Sequence, residues 1–216
     1  MSDSETDKPV RARRTRGAQT AGPQAQENLL RAAGELFYRE GVRTVGVDAV
    51  VERAGVNKMS LYRQFSSKDE LVMAYLERKD EQFFGYVEKS FAQHPGEPTK
   101  QLQQYFDDLA QRASIDDYRG CPFVNVSVEF PDPAHPARQF VFGNKQRLMA
   151  RLLELTTAAS ADDPPALADA LGLLIEGVYA ASQTYGPGCG PIRVAPKVAA
   201  QLIAAACGER ATQQTV

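Results

Sequence analysis

The chain is poor in the residues that usually announce chemistry. Its two histidines, His94 and His135, lie far from its three cysteines, Cys121, Cys189 and Cys207, and no pair of them has the CxxC or CxxH spacing of a zinc site. An odd number of unframed cysteines excludes a disulfide scaffold and makes a reducing cytoplasm the default expectation. No apolar run approaches the ~18 residues that span a bilayer, so no membrane partner is expected. The basic N-terminal stretch has no apolar core behind it, so it does not read as a secretory signal. There is no Ser/His/Asp or Cys/His set, no metal cluster and no phosphate-binding glycine loop. Asp107-Asp108 and Asp116-Asp117 are adjacent pairs that a helix points in different directions, and they read as solvated charges. Alternation bounded by hairpin signals is missing, as are internal repeats. No cofactor and no metal are expected.

What is there is a helix-forming chain of 216 residues, 43% hydrophobic, large enough for a sizeable core in one or two domains. The net charge is only −2, but it is unevenly spread. Residues 8–68 hold twelve Lys/Arg against five Asp/Glu, a net of +7, and residues 81–216 hold eleven against fifteen, a net of −4. An acidic body with one basic end fits a molecule that meets a polyanion at that end.

The periodicity predicts helices over about 24–40, 47–53, 58–64 and 67–91, then 98–115, 122–130, 134–159, 164–184 and 195–207. Leu29, Leu30, Ala33, Leu36 and Phe37 share one face of the first. Gly41 stops it, and Gly55 supplies the left-handed turn between the second and third. Asn57 is placed to cap the third helix, and Ser67 with Glu70 has capping-box spacing for the fourth. Residues 121–130, rich in Val and Phe, are taken as helix although they also suit a strand. His135-Pro136 reads as a loop or helix-start feature rather than a catalyst or metal ligand. The fold class expected is all-α. Its divisions are a basic arm at 1–22 (with Lys8, Arg11, Arg13, Arg14 and Arg16), a three-helix unit at 23–71, a larger helical unit at 72–210 and a tail at 211–216. Whether the arm contacts DNA or is a solvated tail is open at this point.

Two short helices joined by a glycine turn and laid on a longer one form a helix-turn-helix pattern. The second must be short and exposed to enter a major groove about 12 Å wide. Leu61 and Phe65, at i and i+4, are placed for burial, which turns Met59, Ser60, Tyr62 and Arg63 outward. Ser60 suits a base edge and Met59 a thymine methyl, whereas Lys58, Tyr62, Arg63 and Lys68 suit phosphates. On pattern alone an ordinary surface helix remains the alternative. The run from Gly41 to Leu71, however, with Ala54-Gly55-Val56, Leu61-Tyr62, Phe65 and Ser67-Lys68-Asp69-Glu70-Leu71, resembles the DNA-binding domain of the TetR/AcrR family of bacterial regulators. The likeness covers roughly residues 24–71. It implies that Tyr62 and Lys68 touch phosphates and that Met59, Ser60 and Arg63 face the groove, with Asn57 and Lys58 at the helix start. Two positions depart from the pattern. Gly46 stands where many relatives have Ser or Thr touching a phosphate, a contact that either Thr44 takes over or this chain lacks, and Arg63 stands where His is common, which leaves base or phosphate open for it.

Residues 72–207 resemble the family's ligand-binding and dimerisation domain more loosely, chiefly through Arg119–Asn125, Glu129–Pro133 and His135-Pro136. In helix 164–184, Leu167, Leu171, Leu174, Val178 and Ala181 follow a 4, 3, 4, 3 spacing; helix 195–207 is similarly apolar, with Val198, Ala199, Leu202 and Ile203. These residues are expected to form a four-helix interface between two copies of the chain. An effector pocket for a small or medium, mostly apolar molecule is expected among Phe83, Tyr105, Phe106, Leu109, Phe123, Val126, Phe130, Phe140, Leu148 and Tyr179, with Asn125, Ser127, Glu129 and Gln183 as polar anchors. Plain core is the competing role for each. The partners implied are duplex DNA, a second copy of the chain and a small-molecule effector, and the place of work is the bacterial cytoplasm. An all-helical enzyme without DNA function, and an interaction module that ignores DNA, are the competing classes.

Overall fold

The computed structural model describes residues 22–208. The basic arm before Gly22 and the C-terminal tail lie outside the described residues. Within them the chain forms nine α-helices and no strand: α1 Gly22–Glu40, α2 Val47–Ala54, α3 Lys58–Gln64, α4 Lys68–Phe91, α5 Pro98–Ala113, α6 Pro122–Glu129, α7 Pro136–Ala158, α8 Pro164–Thr184 and α9 Gly190–Cys207. The ambiguous segment after Cys121 is helical, with Pro122 pre-setting the first turn.

Local signals account for most boundaries. α2 ends at Gly55 (φ 65°), a left-handed conformation that glycine adopts without a Cβ penalty. The Asn57 side chain accepts from the Ser60 amide at 2.8 Å, capping α3. At α4, Ser67 Oγ accepts from the Glu70 amide at 3.1 Å, but the Glu70 carboxylate reaches one residue further back than a standard capping box. It accepts from both the amide and the hydroxyl of Ser66 at 2.6 Å, bonds that hold its carboxyl below the usual range. His135 is a helix start as expected: its Nδ1 accepts from the Ala137 amide, and its ring stacks on Phe130 at 4.2 Å.

One boundary differs from the expectation. α9 begins at Gly190, five residues before position 195, because Pro191 fits a first turn whose N–H groups need no partner. Pro196 then lies inside the helix, and its carbonyl accepts from the Gln103 amide of α5.

α1, α2 and α3 pack on one another, and α1 continues against α4. Leu29, Ala32, Ala33 and Phe37 of α1, Val50, Val51 and Ala54 of α2, and Leu61 and Phe65 at α3 are buried in this corner. α4 then runs on into a second group, in which α5 packs on α4, α7, α8 and α9, and α8 lies between α7 and α9. Phe37 and Tyr75 meet edge-on at 5.5 Å, so one continuous core joins the two groups.

Replacing Ser67 with Ala removes the α4 cap. The expected cost is about 1 kcal/mol of folding stability, read as a lower urea midpoint with an unchanged slope.

Candidate nucleic-acid interface and the cavity behind it

α3 buries Leu61 completely and Phe65 nearly so, which fixes what the helix shows to solvent. Met59 is 65% exposed and Tyr62 49%, with Lys58 and Arg63 exposed beside them. Ser60 is half-buried. Its hydroxyl donates to Asn57 Oδ1 at 3.0 Å, so toward the groove it offers an acceptor, suited to an adenine or cytosine amino group. Arg63 leans along the helix, with Nη2 at 3.5 Å from Met59 Sδ. Lys58 is not a free cation: its ammonium pairs with Asp48 of α2 at 2.8 Å, a bond that raises its pKa.

The other predicted positions border the same face. Gly46 caps α2 in an extended conformation with no side-chain hydrogen bond, leaving exposed amides at that helix start, and nothing stands within 4 Å of where its Cβ would be. Thr44 is exposed two residues earlier. Lys68 is half-buried and donates to the Arg43 carbonyl at 3.4 Å; burial lowers its pKa. Arg43, not singled out by sequence reasoning, is exposed on the same edge, with its guanidinium donating to the Glu129 carbonyl. Among the described residues none of Arg43, Arg63 and Lys68 takes part in an ion pair, although Asp69 and Glu129 lie close enough to Lys68 to act on its charge. A short exposed helix with apolar, polar and cationic groups in this order can lie in a groove lined by phosphates.

Behind this face the N-terminal helices are bolted to the rest of the chain. Tyr38 Oη donates to the Gly120 carbonyl at 3.0 Å and accepts from the Arg119 amide at 2.8 Å, while Arg119 Nη1 donates to the Tyr38 carbonyl. Gly120 (φ 68°) is pinned: a Cβ there would stand 2.6 Å from Gln183 Nε2 and 3.1 Å from the Tyr179 carbonyl. Glu129 accepts from the Arg43 amide at 2.7 Å. Glu129 therefore grips the α1–α2 loop. Asn125 bonds the Arg119 carbonyl and Gln183, and Ser127 bonds the Val124 carbonyl, so these predicted anchors are also structural.

A cavity of about 260 Å³ opens beside this joint, bordered by Tyr38, Lys79, Gln82, Phe83, Tyr86, Leu109, Arg112, Ile115, Tyr118, Gly120, Cys121, Pro122 and Tyr179. Of the ten residues expected to line a pocket, Phe83, Leu109 and Tyr179 do so. Tyr105, Phe106, Phe123, Val126 and Leu148 are fully packed core, Phe130 covers His135, and Phe140 packs half-buried against the core. Those seven do not border this cavity, because a large apolar side chain on a buried helix face fills the core first. The missed residues, Tyr38, Lys79 and Arg112 above all, come from helix ends and polar positions. Burial raises the pKa of the Tyr118 and Tyr179 hydroxyls and lowers that of Lys79.

The helical pairing expected between copies also needs correction. Leu167, Leu171, Val178, Ala181, Ala199 and Ile203 are buried within the single chain, and Leu174, Val198 and Leu202 are half-buried. The 4, 3, 4, 3 pattern of α8 and the apolar stripe of α9 mark the faces that the two helices turn to their own chain, because one apolar stripe per helix is needed for the core of a single chain. Among the described residues no His, Cys, Asp and Glu group could hold a metal, and no helix is long and apolar enough to cross a membrane.

The family described as "Bacterial regulatory proteins, tetR family" matches residues 29–75. The chain is 34% identical over 179 residues to the transcriptional regulator AcuR of Cereibacter sphaeroides, covering 79% of this chain and 80% of that one. It is 43% identical over 63 residues to the transcriptional activator FasR of Mycolicibacterium smegmatis, 29% of each chain. Among solved structures, a TetR-family regulator from Streptomyces coelicolor superposes with a TM-score of 0.76 at 28% identity, over 85% of this chain and 94% of that one. Another from Streptomyces avermitilis gives 0.73 at 33% identity, over 84% and 97%.

Tyr38→Phe removes both hydrogen bonds at the joint. The expected loss is about 1–2 kcal/mol of stability. Hydrogen exchange at the Arg119 amide should accelerate, and the amides of α7 should be left as they were.

Proposed function

This chain belongs to the TetR family of bacterial regulatory proteins, a transcriptional regulator with a DNA-binding domain and not an enzyme, and from that premise we propose that it is a homodimeric repressor released from a palindromic operator by a small molecule. The observation that carries the reading is the face of α3. Leu61 and Phe65 anchor the helix so that Met59, Ser60, Tyr62 and Arg63 stand at the surface beside unpaired Arg43 and Lys68. Residues 23–71 are the DNA-reading unit and 72–210 the effector and pairing unit. Lys68, Tyr62, Arg43 and the amides at Gly46 hold phosphates, and Met59, Ser60 and Arg63 meet base edges. The setting is the bacterial cytoplasm, on the nucleoid when bound.

One α3 covers too few base pairs for a specific site, and two of them about 34–36 Å apart read a palindrome from one side of the duplex. The surface for pairing is the opposite side of α8 from the one the sequence pattern suggested. Ala166, Ala170, Leu173, Gly177, Ala180 and Thr184 follow each other at 4, 3, 4, 3, 4 along its outer face, and Leu173 is 76% exposed. Val194, 46% exposed, and Val198 continue the surface onto α9. Small residues allow two such helix pairs to approach closely around a two-fold axis.

Release needs an effector that binds one spacing of the α3 helices better than the other, by on the order of 5 kcal/mol for a near-complete switch. Two elements carry the movement. α4 runs unbroken from the DNA-reading unit into the effector unit, and Tyr38 ties the end of α1 to the loop that borders the cavity.

Selection from random duplex DNA should return a palindrome, whereas a set of unrelated sequences refutes the reading. Affinity should fall by roughly a thousandfold between about 50 and 200 mM salt, Lys68→Ala should lower the salt slope by about one, and Met59→Ala should change preference between sequences. Leu173→Glu should turn the dimer into a folded monomer in sedimentation and weaken operator binding roughly a hundredfold, since both half-sites must then be found separately.

A further inference from the structure

Taking the C-terminal helices as an effector unit, we propose that the cavity beside Tyr38 takes a small organic carboxylate, held by Lys79 and Arg112. Both cations border the cavity, and none of the residues around it is an Asp or Glu. Neighbouring cations are paired: Arg78 with Glu27 at 2.7 Å, Arg39 with Asp117 at 3.3 Å, Arg147 with Asp80 at 2.7 Å and Arg151 with Glu88 at 2.9 Å. Lys79 and Arg112 have only rings and an amide. The Lys79 ammonium lies 5.7 Å from the Tyr38 ring and 6.0 Å from that of Tyr75, and donates to Gln82 Oε1 at 3.3 Å. The Arg112 guanidinium sits 5.2 Å from the Tyr86 ring and has no side-chain hydrogen bond among the described residues.

Rings attract a cation but accept none of its directed hydrogen bonds as a carboxylate does. Two N–H groups on Lys79 and the guanidinium fork of Arg112 are thus left without a directed acceptor at the border of a cavity whose other walls are largely apolar. Half-burying an ammonium without a counterion is unfavourable, and its lowered pKa, caused by burial first and by Arg78 second, reports that cost. A carboxylate would remove it, while Phe83, Leu109 and Ile115 enclose an apolar body. At about 30 Å³ per water, 260 Å³ is roughly nine water volumes, the size of benzoate or hexanoate. The same carboxylate competes for the Tyr38 hydroxyl, which now donates to the Gly120 carbonyl. Occupancy would then loosen α1 from its tether, in the direction that release requires.

The test is calorimetric titration of the full-chain protein with benzoate and hexanoate, each beside its neutral amide, benzamide and hexanamide. At least one acid should bind, its amide roughly tenfold more weakly or not at all. Lys79→Met, which keeps the stem, should lose roughly tenfold or more of the acid affinity, spare that of the amide and raise the melting temperature of the unliganded protein. A residue that merely supports the fold would lower it. Arg112→Gln should reproduce the affinity loss if the first variant does not fold. Acids and amides bound alike, neither acid bound, or an unchanged Lys79→Met would overturn the proposal. A gel-shift with the selected duplex separates the two readings. Acid binding without release leaves the carboxylate site standing and removes the release mechanism, whereas release by an amide as strongly as by its acid does the reverse.

Discussion

Everything this chain does at a groove rests on burying two side chains, Leu61 and Phe65, beneath a helix of seven residues. A helix that short does not persist in water on its own, because its few hydrogen bonds do not offset the cost of starting it. Its order is borrowed from α1 and α2 through those two anchors and from the Asn57 cap at its start. The exposed chemistry of Met59, Tyr62 and Arg63 is therefore set by what lies underneath. The same anchoring ties the orientation of α3 to that of α1, so whatever moves α1 moves the exposed groups of α3 with it.

α1 is in turn held by the body of the chain at two points. One is the Tyr38 hydroxyl between Gly120 and Arg119; the other is the Glu129 carboxylate on the amide of Arg43. Lys68 closes the arrangement from the α4 side by donating to the carbonyl of the same Arg43. Ion pairs such as Arg39–Asp117 add little at this exposed boundary. The cavity lies at the first of these points and not deep in the helical core, which is filled by Tyr105, Phe106 and Phe123.

The helices were legible because their signals are local. Gly55, Asn57, Ser67 and the prolines at 122, 136 and 164 mark ends through backbone conformation and caps, which act within a few residues. The outward residues of α3 were legible for the same reason, since burying Leu61 and Phe65 decides the other side. Sequence could not say which of two apolar stripes on α8 serves the chain itself. Leu171 and Leu173 are two residues apart and equally apolar, yet one is fully buried and the other 76% exposed, a distinction made only by the packing of α7 and α9. Nor could it find the cavity, because Tyr38, Lys79 and Arg112 come from three helices and share nothing in spacing. The early start of α9 was hidden by Pro191 and Pro196, which read as breakers where one opens the helix and the other is tolerated inside it.

Apart from the exposed ion pairs Arg78–Glu27 and Arg39–Asp117, the bonds that join the first helices to the body share one property: each has a main-chain group on one side. Gly120 and Arg43 contribute carbonyls, Arg119 and Arg43 amides. Main-chain groups survive most point changes, whereas the walls of the neighbouring cavity are side chains. In a lineage of such proteins, the lining of the cavity can therefore drift from one molecule to another while the linkage between the first helices and the body persists, with Gly120 as the position least free to change.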